Sequence, residues 1–183
     1  MPMKISHLSA ADFRTSTWSG GTTTELFLYP ENGSYAARDF RFRISSATVD
    51  LEESDFTVLP GVERYITPLE GSFVLTHPGA SPAMLPPLAA PYRFWGDVPT
   101  HCVGEATDFN LMLKDCTGVM TLHRNTAPIR PGFNGFYAVE NAVFSLGQQQ
   151  FEMKKGDLLT IFSREESHLE LGTSPTLTCW VQI

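Results

Sequence analysis

Long apolar runs are missing from this 183-residue chain. No stretch approaches the roughly 20 apolar residues that a membrane-spanning helix needs. The opening MPMKISHLSAADFR also lacks the apolar core of a secretory leader. Positive charge is scarce, with 13 Lys and Arg against 20 Asp and Glu, a net charge of −7. No basic stripe is available to hold a phosphate backbone or an anionic lipid surface, so neither nucleic acid nor membrane is expected as a partner. Cysteine is sparse too. Cys102, Cys116 and Cys179 are odd in number and widely spaced, with no Cys-x-x-Cys pair, as expected of reduced thiols in the cytoplasm. Helical periodicity is nearly absent. Short turns are expected only after Ser9, a good N-cap residue, and within Ser163–Leu171.

Several chemical signatures are also absent. The histidines are His7, His77, His101, His123 and His168, and none lies two to four residues from another. Alternate positions on one strand are what a barrel metal site favours, so no metal is expected, and no other cofactor is implied. Gly20-Gly21-Thr22-Thr23-Thr24 lacks the lysine of a P-loop and reads as a tight turn into a strand. There is no Gly-x-Ser-x-Gly to mark a serine nucleophile.

Alternation with a period of two is plentiful. Phe40, Phe42 and Ile44 share one strand face, and Arg41, Arg43 and Ser45 the other. Phe109, Leu111 and Leu113 oppose Asn110 and Met112 in the same way. Leu177, Cys179, Val181 and Ile183 alternate with Thr178, Trp180 and Gln182 at the end. Glycine and proline, 14 and 13 residues, are spread along the chain as turn formers. Many short strands at this spacing predict an all-β sandwich or barrel. Arg64–Leu113 and Gly135–Ile183 repeat a loose series of strands and turns, best matched at Gly96-Asp97 and Gly156-Asp157. This suggests duplication of a small β-barrel. The Pro- and Gly-containing stretch Thr126–Gly135 is expected to be the seam. It would separate residues 1–125, with the ligand pocket, from residues 126–183, packed on the first half as one compact unit.

The arginines carry the most chemical information. Arg43 and Ser45 share a face, and Arg64 opens an apolar strand after the Pro60-Gly61 turn. An arginine inside a barrel needs a counter-charge. That partner is either protein, with Glu25, Asp97 and Asp108 as candidates, or a ligand carboxylate gripped through parallel hydrogen bonds.

Five motifs in order then point to a family. They are Trp18-Ser-Gly-Gly-Thr-Thr-Thr-Glu25, Asp39-Phe-Arg-Phe-Arg-Ile-Ser-Ser-Ala47, Phe56-Thr-Val-Leu-Pro-Gly-Val-Glu-Arg64, Phe94-Trp-Gly-Asp97 and Asp108-Phe-Asn-Leu-Met112. Together they resemble the HutD/Ves family of bacterial proteins over roughly Thr17–Met112. The resemblance implies a bicupin of the RmlC-like type, without the usual cupin metal ligands. It also implies a link to histidine utilisation, through binding of small carboxylates such as urocanate or formylglutamate. Matching the family's motif positions are Arg64, Arg43, Ser45, Glu25, Asp97 and Asn110. The chain departs at Trp18-Ser-Gly-Gly, where many members have a longer Trp-x-Asn-Gly-x-Gly loop, and at Phe42, where Trp is common.

The expectation is therefore a metal-independent bicupin that binds a small carboxylate and governs histidine degradation. Arg64 grips the carboxylate, assisted by Arg43. Ser45 and Asn110 supply hydrogen bonds, Glu25 balances charge, and Phe42, Phe56 and Trp95 wall the pocket. The alternative is a metal-free isomerase or hydrolase using His101, Glu25 or Asp108 as acid or base. A homodimer through sheet edges is compatible with either reading.

Overall fold

The computed structural model describes residues 3–183. Strands dominate it, and the helical element among the described residues is a 3-10 turn at Ala10–Asp12. Ser9 precedes that turn and donates its backbone N–H to the Asp12 carboxylate at 2.8 Å. The second expected turn is not formed. Leu169 and Leu171 instead bury alternate side chains on the long strand Ser167–Val181.

The chain divides into two compact units. One is Arg14–Asp115; the other is Cys116–Ile183 together with the N-terminal segment through Phe13. The Lys4–Leu8 strand joins that second unit by antiparallel pairing with Leu158–Ser163. The division thus falls ten residues before the expected seam. Thr126–Gly135 is a connection inside one sheet: Gly118–Ile129 ends, Gly132 turns at φ +115°, and Gly132–Ala138 begins, the two strands flanking Ser167–Val181 and both antiparallel to it. Proline and glycine there shape a turn; they do not separate units.

In the C-terminal unit, Ser167–Val181 pairs with both Gly118–Ile129 and Gly132–Ala138. Its core includes Phe136, Phe144, Leu159, Ile161, Leu169 and Leu171. The two Gly-Asp turns each hang on a strand of their own unit. Gly96 donates to Val62 O at 2.7 Å and Gly156 to Ala138 O at 2.8 Å. The strands before them pair differently, however. Tyr92–Trp95 pairs with Val62–Gly71, whereas Gln149–Met153 pairs with Ala142–Leu146.

The Arg14–Asp115 unit contains a six-stranded and a four-stranded sheet. The larger runs in the order Arg14–Trp18, Gly21–Tyr29, Phe42–Val49, Ala106–Lys114, Val62–Gly71, Tyr92–Trp95. The smaller holds Glu53–Asp55, His101–Val103, Phe73–Thr76 and Ala83–Leu85. Ile66, Phe94 and Ala106 of the first pack with Phe73, Leu75, Leu85 and Cys102 of the second. A second apolar cluster, Phe40, Leu59, Val62 and Met112, lies further along the same inner face. Val62, Arg64 and Ile66 alternate inward on one strand, so Arg64 sits between the two clusters.

Candidate ligand site

Register assembles the site. Arg43 pairs with Met112, which pairs with Arg64; one step on, Ser45 pairs with Asn110 and Ala47 with Asp108. All point to the same side, because they sit two apart on neighbouring strands. The register of Gly21–Tyr29 shifts between Glu25 and Phe27, where two residues oppose one. That bulge lets Glu25, opposite Ser45, join the arginine side while Phe27 stacks on Phe42 at 5.7 Å on the other.

Arg43, Ser45, Ala47, Arg64, Asp108 and Asn110 line a cavity of about 390 Å³ inside the Arg14–Asp115 unit. Pockets for small molecules commonly fall in that range. Arg43 and Arg64 are each only 6% exposed, yet they are held differently. Arg43 is neutralised: its Nε donates to Glu25 Oε2 at 2.8 Å and its Nη1 to Ser45 Oγ at 3.3 Å. Its guanidinium also lies 4.1 Å from the Tyr35 ring centroid. Arg64 lies 5.0 Å from the Phe56 ring and 5.1 Å from Phe94. Its Nη2 donates to Asn110 Oδ1 at 3.2 Å, and its Nε is buried with no partner.

Asn110 connects Arg64 to Asp108. A guanidinium only donates, so Asn110 turns its carbonyl to Arg64 and its amide N–H to Asp108 Oδ1. Burial pushes the Asp108 carboxyl up to about 7, against the opposing pull of Arg64, the Ala47 backbone and Asn110. Burial likewise lowers Arg64, while the Asp108 carboxylate and Tyr35 act the other way. The cavity therefore offers a cation with a free donor, a titratable carboxyl and an aromatic wall.

Of the expected site residues, Arg64, Arg43, Ser45 and Asn110 line this cavity, and Glu25 stands behind Arg43. Phe56 lines it as well. Phe42 does not, because it is on the opposite face of its strand, stacked 5.2 Å from Tyr29. Trp95 is half exposed and Asp97 lies in the exposed turn after it, both away from the cavity lining. His101 lines a neighbouring cleft, where Asp55 Oδ1 lies 2.9 Å from its Nδ1. Tyr35 was outside the expected set, whereas Asp108 was expected as a counter-charge or as an acid or base. Alternation with Asn110 and Met112 is a usable signal for Asp108. Tyr35 belongs to the irregular segment between strands, which has no periodicity to read. Among the described residues, no group of three or more His, Cys, Asp or Glu is placed to hold a metal ion.

A β-barrel unit with an inward-facing polar cavity is the build of the cupin-like proteins, and solved structures bear out that class. A bacterial pirin, YhhW, from Escherichia coli, described in complex with nickel(II), superposes with a TM-score of 0.64 at 8% identity, covering 97% of this chain and 98% of the pirin. Two others are far more similar. HutD from Pseudomonas fluorescens SBW25, described for a formate condition, gives a TM-score of 0.80 at 22% identity, covering 98% of this chain and 100% of that one. A conserved protein of unknown function from Pseudomonas aeruginosa PAO1 gives 0.83 at 25% identity, covering 98% of both. The HutD family model matches residues 10–179, and the chain belongs to the HutD family. No curated protein sequence matches it. No helix among the described residues is long and apolar enough to cross a membrane.

Proposed function

We propose that this HutD-family protein binds a small carboxylate metabolite of the urocanate or formylglutamate class in the Arg14–Asp115 cavity, and thereby governs flux through histidine utilisation. The observation that carries this reading is Arg64. A buried guanidinium without an acceptor at Nε is costly, and a carboxylate is the acceptor whose two oxygens match its fork. Arg43 adds positive potential but is already balanced by Glu25, so Arg64 is the gripping residue. Phe56 gives a planar ligand an apolar wall.

The test is a thermal-shift panel of urocanate, formylglutamate, glutamate and formate on wild type and Arg64→Ala. A ligand at about 100 times its Kd stabilises by about 2.7 kcal/mol, a shift of a few degrees. One pathway acid is expected to raise the wild-type Tm and to leave the variant's unchanged. A flat wild-type panel would overturn the reading. A metal-free isomerase or hydrolase is the second reading, favoured by one observation: Asp108, an acid titrating near neutrality, lies beside Arg64 in the cavity. Turnover of a panel acid that is lost in Asp108→Asn would support it.

A further inference from the structure

The charges around Arg64 do not suit an incoming anion in every protonation state. Arg43 carries its own counter-charge in Glu25. Arg64 has Asp108 as its nearest uncommitted anion, linked through Asn110 with no direct ion pair. Asp55, the other acid lining the cavity, is engaged by His101. Cys102, on the facing strand, feels the Asp108 charge, and burial holds its thiol up near 11, so it stays neutral. With Asp108 ionised, a ligand carboxylate at Arg64 would place two anions on one cation in a buried cavity, which disfavours both. With Asp108 protonated, Arg64 is left with net positive charge to share. Asn110 donates to Oδ1 and the Ala47 backbone N–H also donates to this carboxyl; protonation turns Asp108 from a charged acceptor into a neutral group with an O–H donor.

We propose that Asp108 is a proton-coupled latch for the anion: the cavity takes up one proton on the Asp108 carboxyl as a carboxylate docks on Arg64. This rests on the anion-site reading above and adds a linkage to it. The proton comes from solvent and returns there on release, and no covalent bond changes. The carboxylate then receives donors from Arg64 Nε and from the neutral Asp108. An ordinary surface arginine site would bind the same anion with no such dependence. The titration of the Asp108 carboxyl near 7 places the linkage in the neutral range.

The experiment is calorimetric titration of formate and N-formylglutamate into wild type and Asp108→Asn between about pH 6 and pH 9. Neither probe titrates in that window. Above about pH 7, wild-type affinity is expected to fall about tenfold per pH unit. Repeating the titration near pH 8 in two buffers of different ionisation enthalpy is expected to show close to one proton taken up per ligand. Asp108→Asn, an isostere of the neutral acid, is expected to show one affinity across the range and no proton uptake. Binding that is flat with pH in wild type, or equally steep in Asp108→Asn, would overturn the latch and leave the anion site standing. If Asp108→Asn does not fold, the two-buffer proton count on wild type decides alone. Failure of both probes to bind near pH 6 would overturn the anion site and the latch with it.

Discussion

Asp108 is buried beside Arg64, and desolvation pushes its carboxyl up to about 7 from an ordinary value of 3.8. The folded state therefore holds this proton over a range in which the unfolded chain has released it. The stability contribution is fully present below about pH 4 and is lost as pH rises through about 7. Asp108→Asn removes that dependence. Its Tm relative to wild type is expected to rise between pH 5 and pH 8, by the equivalent of a few kcal/mol. Parallel melting curves check this; a constant difference would contradict it. The same residue shows what the sequence could offer. Asp108, Asn110 and Met112 sit two apart on one apolar strand, so their common face was legible. Which acid accompanies which arginine was not. Glu25 reaches Arg43 across a strand pair and Asp108 reaches Arg64 through an amide, and both links depend on register. Phe42 shows the limit from the other side. Its alternation with Arg43 already set it on the opposite face, so it could not wall the same cavity.

The hairpin Arg14–Tyr29 positions the cavity rim and illustrates how a turn and a bulge set side-chain placement. Gly21 has φ +149° and lies so close to its neighbour that a Cβ would stand 1.8 Å from Thr48 O. Only glycine fits without parting the Gly21–Tyr29 and Phe42–Val49 strands. Gly21→Ala is expected to destabilise the protein by more than the ~1 kcal/mol of an ordinary helix or strand glycine change, as read by urea unfolding. Unchanged stability would mean that this strand pair yields easily and does not fix the site. The Gly20-Gly21 turn was readable from composition, and so were most strands. The bulge after Glu25 was not, because a one-residue register shift leaves no compositional trace. Thr126–Gly135 likewise reads as a seam although it joins two strands of one sheet: proline and glycine mark a connection in either case.

Across the whole molecule, a chain of net charge −7 lines its cavity with two buried arginines. Long-range electrostatics therefore work against the proposed ligand, and its recognition depends on local, poorly screened contacts. An all-β sandwich or barrel followed from strand patterning, and the HutD family, with the bicupin it implies, from the resemblance of five short motifs; the division after Asp115 required the pairing of the N-terminal strand. Gripping of a carboxylate by Arg64 is the central claim, and its buried Nε reports on it directly. The most direct measurement is arginine side-chain ¹⁵N NMR of the protein titrated with formylglutamate and urocanate near pH 6. The Arg64 Nε–H resonance is expected to move downfield in proton frequency and to exchange more slowly with solvent as the site fills, with the Arg43 Nε–H little changed. An Arg64 resonance that stays in place while ligand binds elsewhere, or that never responds to either acid, would contradict it.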